Sequence, residues 1–478
     1  MSFTSLWYFP FLIMVALISH ILTSRPKIYF LLAVSWIMYG LFGLPHFLLM
    51  LLATVVTYLA GRMIARGGTW KIPALAGAVI IVAGILFYMK YFDMFLSGVE
   101  AVGGILGRDL TFPERNIILP VGISFYTFQS LTYVVDVYRG EPAEKNFARY
   151  ALFISFFPQL VAGPIEKAGW LVPQLKSCRA SAEDVRAGIR YILSGCVRKF
   201  VIADYMAGFV DTVYGNVSGE SGLNLLAATV LFAFQIYCDF SGYTHIAIGS
   251  ARFLGIRLTE NFEQPYLARG CRDFWKRWHI TLTRFFTEYV YIPLGGNRRG
   301  AGRKYFNIMV VFLLSGLWHG ADMTFLCWGA FFGIWRILEE VSTKKISRIE
   351  GKHIMQVSVK HKRFISRIET AATFALVCLA WVFFRSQSMT EAAEVFARVL
   401  TAAGGSAFLM TGMELLGATA RIGILALLPR ILDVRSGESE KTEISILYID
   451  TVILFLTVVC LLAAFGSGGE SSFIYFQF

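Results

Sequence analysis

Charge is scarce in this chain. Asp, Glu, Lys and Arg make up 16% of its 478 residues, where a soluble globular domain carries about 25%. With 56% of the residues hydrophobic, that deficit excludes a soluble globular protein and points to a polytopic membrane protein. Paired cysteines are missing too. Cys178, Cys196, Cys238, Cys271, Cys327, Cys378 and Cys460 show neither close pairing nor metal-ligand spacing, which excludes a disulfide scaffold and a thiolate metal site. No metal and no bound cofactor is expected. Most of these thiols lie in apolar runs, where cysteine acts as a small hydrophobe. Basic residues are absent ahead of the first apolar run, residues 6–23, and no small-residue cleavage site follows it. That run reads as a first transmembrane helix and not as a cleaved signal. Internal inverted repeats and low-complexity segments are lacking as well. The net charge of +12 reads as loop charge that sets topology, not as affinity for nucleic acid.

What is present is a succession of apolar runs. About 20 residues cross a bilayer core, so the length allows roughly ten to fourteen helices in an all-α fold, read here as one membrane domain over residues 1–478. The first positive charges, Arg25 and Lys27, follow the first run, which predicts an extracytoplasmic N-terminus. Residues 28–39 and 46–59 come next, split by 40–45. Arg62, Arg66 and Lys71 form a basic loop before a span at 72–89. At 117–129, Pro120 and Gly122 break an apolar helix, as backbone at membrane depth can where protein or a cavity surrounds it. Residues 153–166 form a second apolar segment closed by a breaker. Residues 183–198 are charged and amphipathic, predicting a helix along the surface or lining a cavity. The basic stretch 344–367 is the clearest cytoplasmic loop. Spans at 371–384, 408–428 and 444–465 then put the C-terminus outside. Residues 466–478 make a tail: a Gly/Ser linker followed by Phe473-Ile-Tyr-Phe-Gln-Phe478, in which Tyr475 is the only phenol.

The chain is organised around residues 308–335, read as one span with His319 and Asp322 in its middle. An ionisable group at that depth is costly and by default marks a site facing a bundle interior or a wet cavity; the plainer alternative is a hydrogen bond between helices. Gly316, Gly320 and Gly329 let a neighbouring helix or a ligand come close. Asp239, within the apolar run 223–248, is a second deep ionisable group, either a salt-bridge partner or the group that orients a base. Residues 271–286 alternate aromatic and basic side chains. This is the pattern of one helix lying at the interface with Phe274, Trp278, Leu282 and Phe285 on one side. His279 lies inside it and has a plain reading as a packing histidine. The turn Tyr291-Ile-Pro-Leu-Gly-Gly-Asn-Arg-Arg-Gly300 offers backbone amides, Arg298 and Arg299 to an anion such as a nucleotide phosphate, or is a solvated cytoplasmic loop.

Several stretches taken together resemble the membrane-bound O-acyltransferase family. They are Pro120-Val-Gly-Ile-Ser-Phe-Tyr-Thr-Phe-Gln129, Phe157-Pro-Gln-Leu-Val-Ala-Gly-Pro164, Asp239-Phe-Ser-Gly-Tyr243, Phe274-Trp-Lys-Arg-Trp-His-Ile-Thr-Leu282, Tyr291-Ile-Pro-Leu-Gly-Gly-Asn-Arg298 and Gly316-Leu-Trp-His-Gly320. The Leu-Gly-Gly-Asn-Arg turn is most similar to the bacterial alginate O-acetyltransferase subfamily. The resemblance implies a helical bundle around a funnel or tunnel, His319 as the catalytic histidine and His279 as the second recurrent one. It implies an acyl group taken from a cytoplasmic donor and delivered toward the outer face, with an extracytoplasmic partner resembling a serine esterase. The chain departs from the family pattern at His245, at Thr287-Glu288 and at Phe332, which bears on acceptor and partner more than on chemistry.

The expected chemistry follows. A thioester donor needs a nucleophilic hydroxyl and a base, and a histidine kept neutral by an apolar tunnel suits that role. His319 is expected to deprotonate a hydroxyl that attacks acetyl-CoA, the donor substrate. The hydroxyl belongs to a sugar, to a partner protein or to Tyr475, whose tether would give it a high effective concentration. The expected setting is a multi-pass protein among cell-membrane lipids that serves O-acetylation of an extracytoplasmic polysaccharide such as alginate. D-alanyl transfer to teichoic acid is an alternative. A lipid or polysaccharide transporter is an alternative of another class, which the lack of repeat symmetry counts against.

Overall fold

The structure, a computed structural model, describes residues 5, 7–113, 115, 117–161, 163–350 and 359–432. Among these there are helices and turns but no β-strand. Among the described residues, five helices are long and apolar enough to cross a membrane: Leu44–Arg66, Gly68–Lys90, Gly222–Phe253, Arg363–Arg385 and Gly412–Pro429. The protein is an all-α, multi-pass membrane protein. The last expected span, 444–465, and the tail that carries Tyr475 lie outside the described residues.

The early runs fold as read, with the break at 40–45 separating Ser24–Gly40 from Leu44–Arg66. The first helix, Tyr8–Ile21, has 14 residues. At about 1.5 Å per residue it is too short to cross a 30 Å core straight. The break at Pro120 and Gly122 is real. Gly122 has φ +73°, the helix Ile123–Arg139 starts directly after it, and a Cβ at that position would run into the carbonyl of Leu160.

Gly222–Phe253 is the axis of the bundle and is almost wholly buried from Leu231 to Ala251. The helix Ala182–Cys196 exposes Glu183 and Arg186 on one side and seats its other side on this axis. Gly188 approaches Gly249, and Gly195 approaches Gly242, closely enough that a Cβ would meet backbone. Small-residue contacts of this kind let membrane helices gain dispersion contact where lipid offers no hydrophobic drive.

Two expectations fail here. Residues 308–335 are not one span. Helix Gly300–His319 ends at Gly320, and a new helix, Met323–Glu350, runs back beside it. The Asp322 side chain accepts the Thr324 N–H at 2.8 Å and caps the returning helix. Hydropathy cannot see this turn, because the residues on both sides of it are apolar. Gly316 faces Phe325 and Gly329 faces Phe312 across the hairpin, each with a carbonyl where a Cβ would stand. Gly329→Val is therefore expected to lower the melting temperature in detergent, by overpacking worth about 1–3 kcal/mol. An unchanged melting curve would show that the hairpin has slack. At the open end of the hairpin, Lys304 and Arg336 both pair with Glu340. Lys304, just after the basic turn, and Arg336 thus lie at the same end of the hairpin.

Residues 271–286 are likewise not one interfacial helix. They form Cys271–Arg277 and Ile280–Phe286, broken at Trp278 and His279. Phe274, Trp278, Leu282 and Phe285 are buried in protein, not laid on lipid.

Candidate active site

His319 is the last residue of its helix and is 4% exposed. Three aromatic rings surround it edge-on: Trp318 at 4.7 Å, Trp328 at 4.9 Å and Phe384 at 5.0 Å between centroids. The carbonyls of a last helical turn lack intrahelical partners. Lys90, at the end of Lys71–Lys90, supplies one by donating to the carbonyls of Trp318 at 2.6 Å and His319 at 3.0 Å. A cation there also suits the negative end of the helix dipole. Nothing in the sequence links Lys90 with a histidine 229 positions away.

His279 sits at the break between the two short helices, with φ +42° and ψ +55°. A non-glycine residue holds such a left-handed conformation only when its surroundings impose it. The ring is completely buried. Phe240 meets it edge-on at 4.9 Å and Trp318 at 5.6 Å, while Phe125 and Phe262 lie farther off. Nδ1 lies 3.3 Å from Asn261 Oδ1, and burial pushes the imidazole pKa down to about 3. Trp318 therefore touches both histidines, and the pair lies on either side of one indole.

A cavity of about 600 Å³ runs along the helix that ends in His319. Arg272, Lys276, Lys304 and Arg336 line it, a cationic set. Leu282, Phe286, Val311 and Phe312 make apolar wall, and Ser315, one helical turn before His319, also lines it. A basin of about 310 Å³ adjoins it and shares Arg272, Lys276, Arg336 and Glu340. Lys304 and Arg336 are held by Glu340. Arg272 and Lys276, four residues apart on one exposed helix face, have no ion-pair partner among the described residues. An elongated anion with an apolar arm fits such a space, its charged end at the cations and its arm directed inward.

The probable alginate O-acetylase of Pseudomonas syringae pv. tomato is 35% identical over 376 residues, 77% of this chain and 68% of that protein. The chain belongs to the membrane-bound O-acyltransferase family. The family's profile matches residues 138–359. The acyltransferase is also 32% identical over 400 residues to the peptidoglycan O-acetyltransferase of Helicobacter pylori, covering 77% of this chain and 73% of that one. It is 26% identical over 310 residues to the teichoic acid D-alanyltransferase of Bacillus subtilis, covering 62% and 74%. Both histidines and the cavity fall inside the profile match; Lys90 falls outside it.

Other candidates in this membrane-bound O-acyltransferase do not gather at the histidines. Asp322 is exposed and caps a helix; it is not a deep group in the middle of a span. Asp239 is buried and pairs with Lys199 at 2.7 Å, which realises the salt-bridge alternative. Arg298 and Arg299 are exposed on the turn, whose Asn297 reaches the cavity while the two arginines do not line it. Tyr475 is outside the described residues. Sequence reasoning missed Arg272, Lys276, Lys304 and Arg336. The spacing of Arg272 and Lys276 was legible, but it was read as the polar face of an interfacial helix. It also missed Asn261, for which no sequence signal existed.

Proposed function

We propose that this acyltransferase takes a short acyl group, acetyl foremost, from a cytoplasmic thioester donor such as acetyl-CoA. It passes that group across the cell membrane for O-acetylation of an extracytoplasmic polysaccharide. The observation that carries this reading is the cation-lined cavity whose wall reaches Ser315, one turn from His319. Donor phosphates meet Arg272 and Lys276, the arm follows the apolar wall, and the thioester carbonyl comes to the histidines. His319 takes the proton of an acceptor hydroxyl; the oxygen attacks the carbonyl, and the thiolate leaves. The hydroxyl belongs to the sugar, to an extracytoplasmic esterase-like partner or to Tyr475. Both termini are read as extracytoplasmic, and the surroundings as membrane lipid.

Alginate is the acceptor favoured by the alginate O-acetylase relatives, and peptidoglycan is the variant that the Helicobacter relative suggests. D-alanyl transfer to teichoic acid is the second reading, supported by the Bacillus relative at lower identity. The test is release of free thiol from acetyl-CoA by the purified protein in nanodiscs, with an acceptor oligosaccharide and D-alanyl thioester as parallel substrates. Thiol release dependent on acetyl-CoA and on intact His319 is the expected result. No turnover of either thioester would send the reading to transport.

The double variant Arg272→Ala/Lys276→Ala is expected to raise KM for acetyl-CoA about tenfold with kcat little changed, since two exposed charges give uniform binding. An unchanged KM would remove the donor from this cavity.

A further inference from the structure

The break at His279 is clamped by a single residue. Asn261, in the loop after Gly222–Phe253, is fully buried. Its backbone carbonyl accepts the Ile280 N–H at 3.0 Å. Its side-chain Oδ1 accepts the Thr281 N–H at 3.1 Å and the Thr281 hydroxyl at 2.9 Å. That hydroxyl in turn accepts the Ile165 N–H at 3.1 Å, so its own proton is left for Asn261. A backbone N–H can only meet an oxygen, so the amide orientation of Asn261 is fixed by its neighbours. His279 Nδ1 faces the same oxygen at 3.3 Å. Facing an acceptor, Nδ1 is the nitrogen that geometry favours for the proton. Nε2 is then the bare nitrogen, and it is buried without a hydrogen-bond partner among the described residues.

We propose that Asn261 is a positioning residue that locks His279 in its Nδ1–H tautomer and leaves the Nε2 lone pair bare as a proton or hydrogen-bond acceptor. The residue works through His279, and the inference rests on the reading that this histidine serves acyl transfer. A neutral amide is the partner that fixes the tautomer without charging the ring; a carboxylate in its place would favour the imidazolium. The groups that face the ring from the packed elements are Phe125, Phe240, Phe262 and Trp318, all uncharged. His319 is the titratable neighbour, across Trp318, and Lys90 lies beyond it. The left-handed backbone at His279 finds its purpose here. It turns the ring so that one nitrogen meets the loop and the other does not.

The test uses the full-length protein in nanodiscs with ¹⁵N-labelled histidine. In the wild type, one histidine, identified by its loss in His279→Gln, shows a protonated Nδ1 and a bare Nε2. In Asn261→Leu that signal moves to the other tautomer or to a mixture. A protonated Nε2 in the wild type, or a signal that Asn261→Leu leaves unmoved, would overturn the proposal. Kinetics give an independent arm. Asn261→Asp is expected to keep activity near neutral pH but to move the acidic limb of the kcat profile up by about one unit or more. Asn261→Leu is expected to lose about 10–100-fold in kcat with little change in KM for acetyl-CoA. An acidic limb that stays put in a folded Asn261→Asp protein would make Asn261 a structural clamp only. If the wild type transfers no acyl group at all, the functional reading falls, while the tautomer is still decided by the nitrogen signals.

Discussion

His319→Ala is expected to lose acyl transfer by about 10²–10⁴-fold, the contribution of a positioned general base, while the protein still folds and inserts. The expectation has two parts because the environment has two parts. The imidazole ends its helix inside a cage of Trp318, Trp328 and Phe384. Removing the ring leaves a gap among rigid aromatics, at a cost of a few kcal/mol at most. The helix end stays anchored by Lys90, which grips backbone carbonyls and not the side chain. O-acetyl content of the surface polysaccharide in cells carrying the variant reads the first part; its level in membranes reads the second. Unchanged ester at normal protein level would make His319 a packing residue and sink the acyl-transfer mechanism drawn through it. His319→Gln, which fills the space without a base, is expected to be as inactive as the alanine variant.

Lys199→Met is expected to lower stability by about 3–5 kcal/mol, the cost of leaving a buried partner charge uncompensated. Lys199 is 1% exposed. It lies in the π-helical stretch Val197–Ala203 and reaches Asp239 at 2.7 Å and Asp204 at 2.9 Å. Without the ammonium, two carboxylates remain among buried helices. The readout is a large drop in melting temperature and in yield of monodisperse protein. Adding Asp239→Asn to Lys199→Met is expected to recover part of the loss, because one of the stranded charges is gone. A Lys199→Met protein that melts with the wild type would mean that the pair holds nothing together. The same variants separate the two readings of Asp239: if it is a structural partner, the folded fraction of Asp239→Asn keeps its kcat, whereas a residue that oriented a base would lower kcat in every folded molecule.

Much of the site was legible in the sequence, and what was hidden has definite causes. His319 stood out because an imidazole inside an apolar run is costly, and His279 only through the family resemblance of its Trp-His segment; the structure brings both to one indole. The break at Gly122 was legible because proline and glycine announce themselves. The hairpin at Gly320 was not, because hydropathy averages over a three-residue turn between two apolar helices; the capping aspartate at 322 was the one clue, and it was read as a buried charge. The kink at His279 could not be read, since the left-handed histidine is imposed by Asn261, which reaches the start of Ile280–Phe286 from the loop after Gly222–Phe253. Arg272 and Lys276 show the reverse error. Their pattern was seen, but a cationic helix face looks the same in sequence whether it meets phospholipid headgroups or the rim of a cavity.

The hairpin also sets a length. Lys304 and His319 stand on one unbroken helix, 15 residues apart, or about 22 Å at a rise of 1.5 Å per residue. A rigid rod of that kind works as a ruler. In the proposed reading, a donor whose phosphates rest on Arg272 and Lys276, in the cavity that Lys304 also lines, would deliver its thioester to His319 only if its arm spans a comparable distance, so small acyl phosphates and short thioesters would dock without reacting. Carriers with a long flexible handle would pass the gauge whatever short acyl group they bear. Selectivity for the handle and tolerance for the cargo would then come from the same geometry.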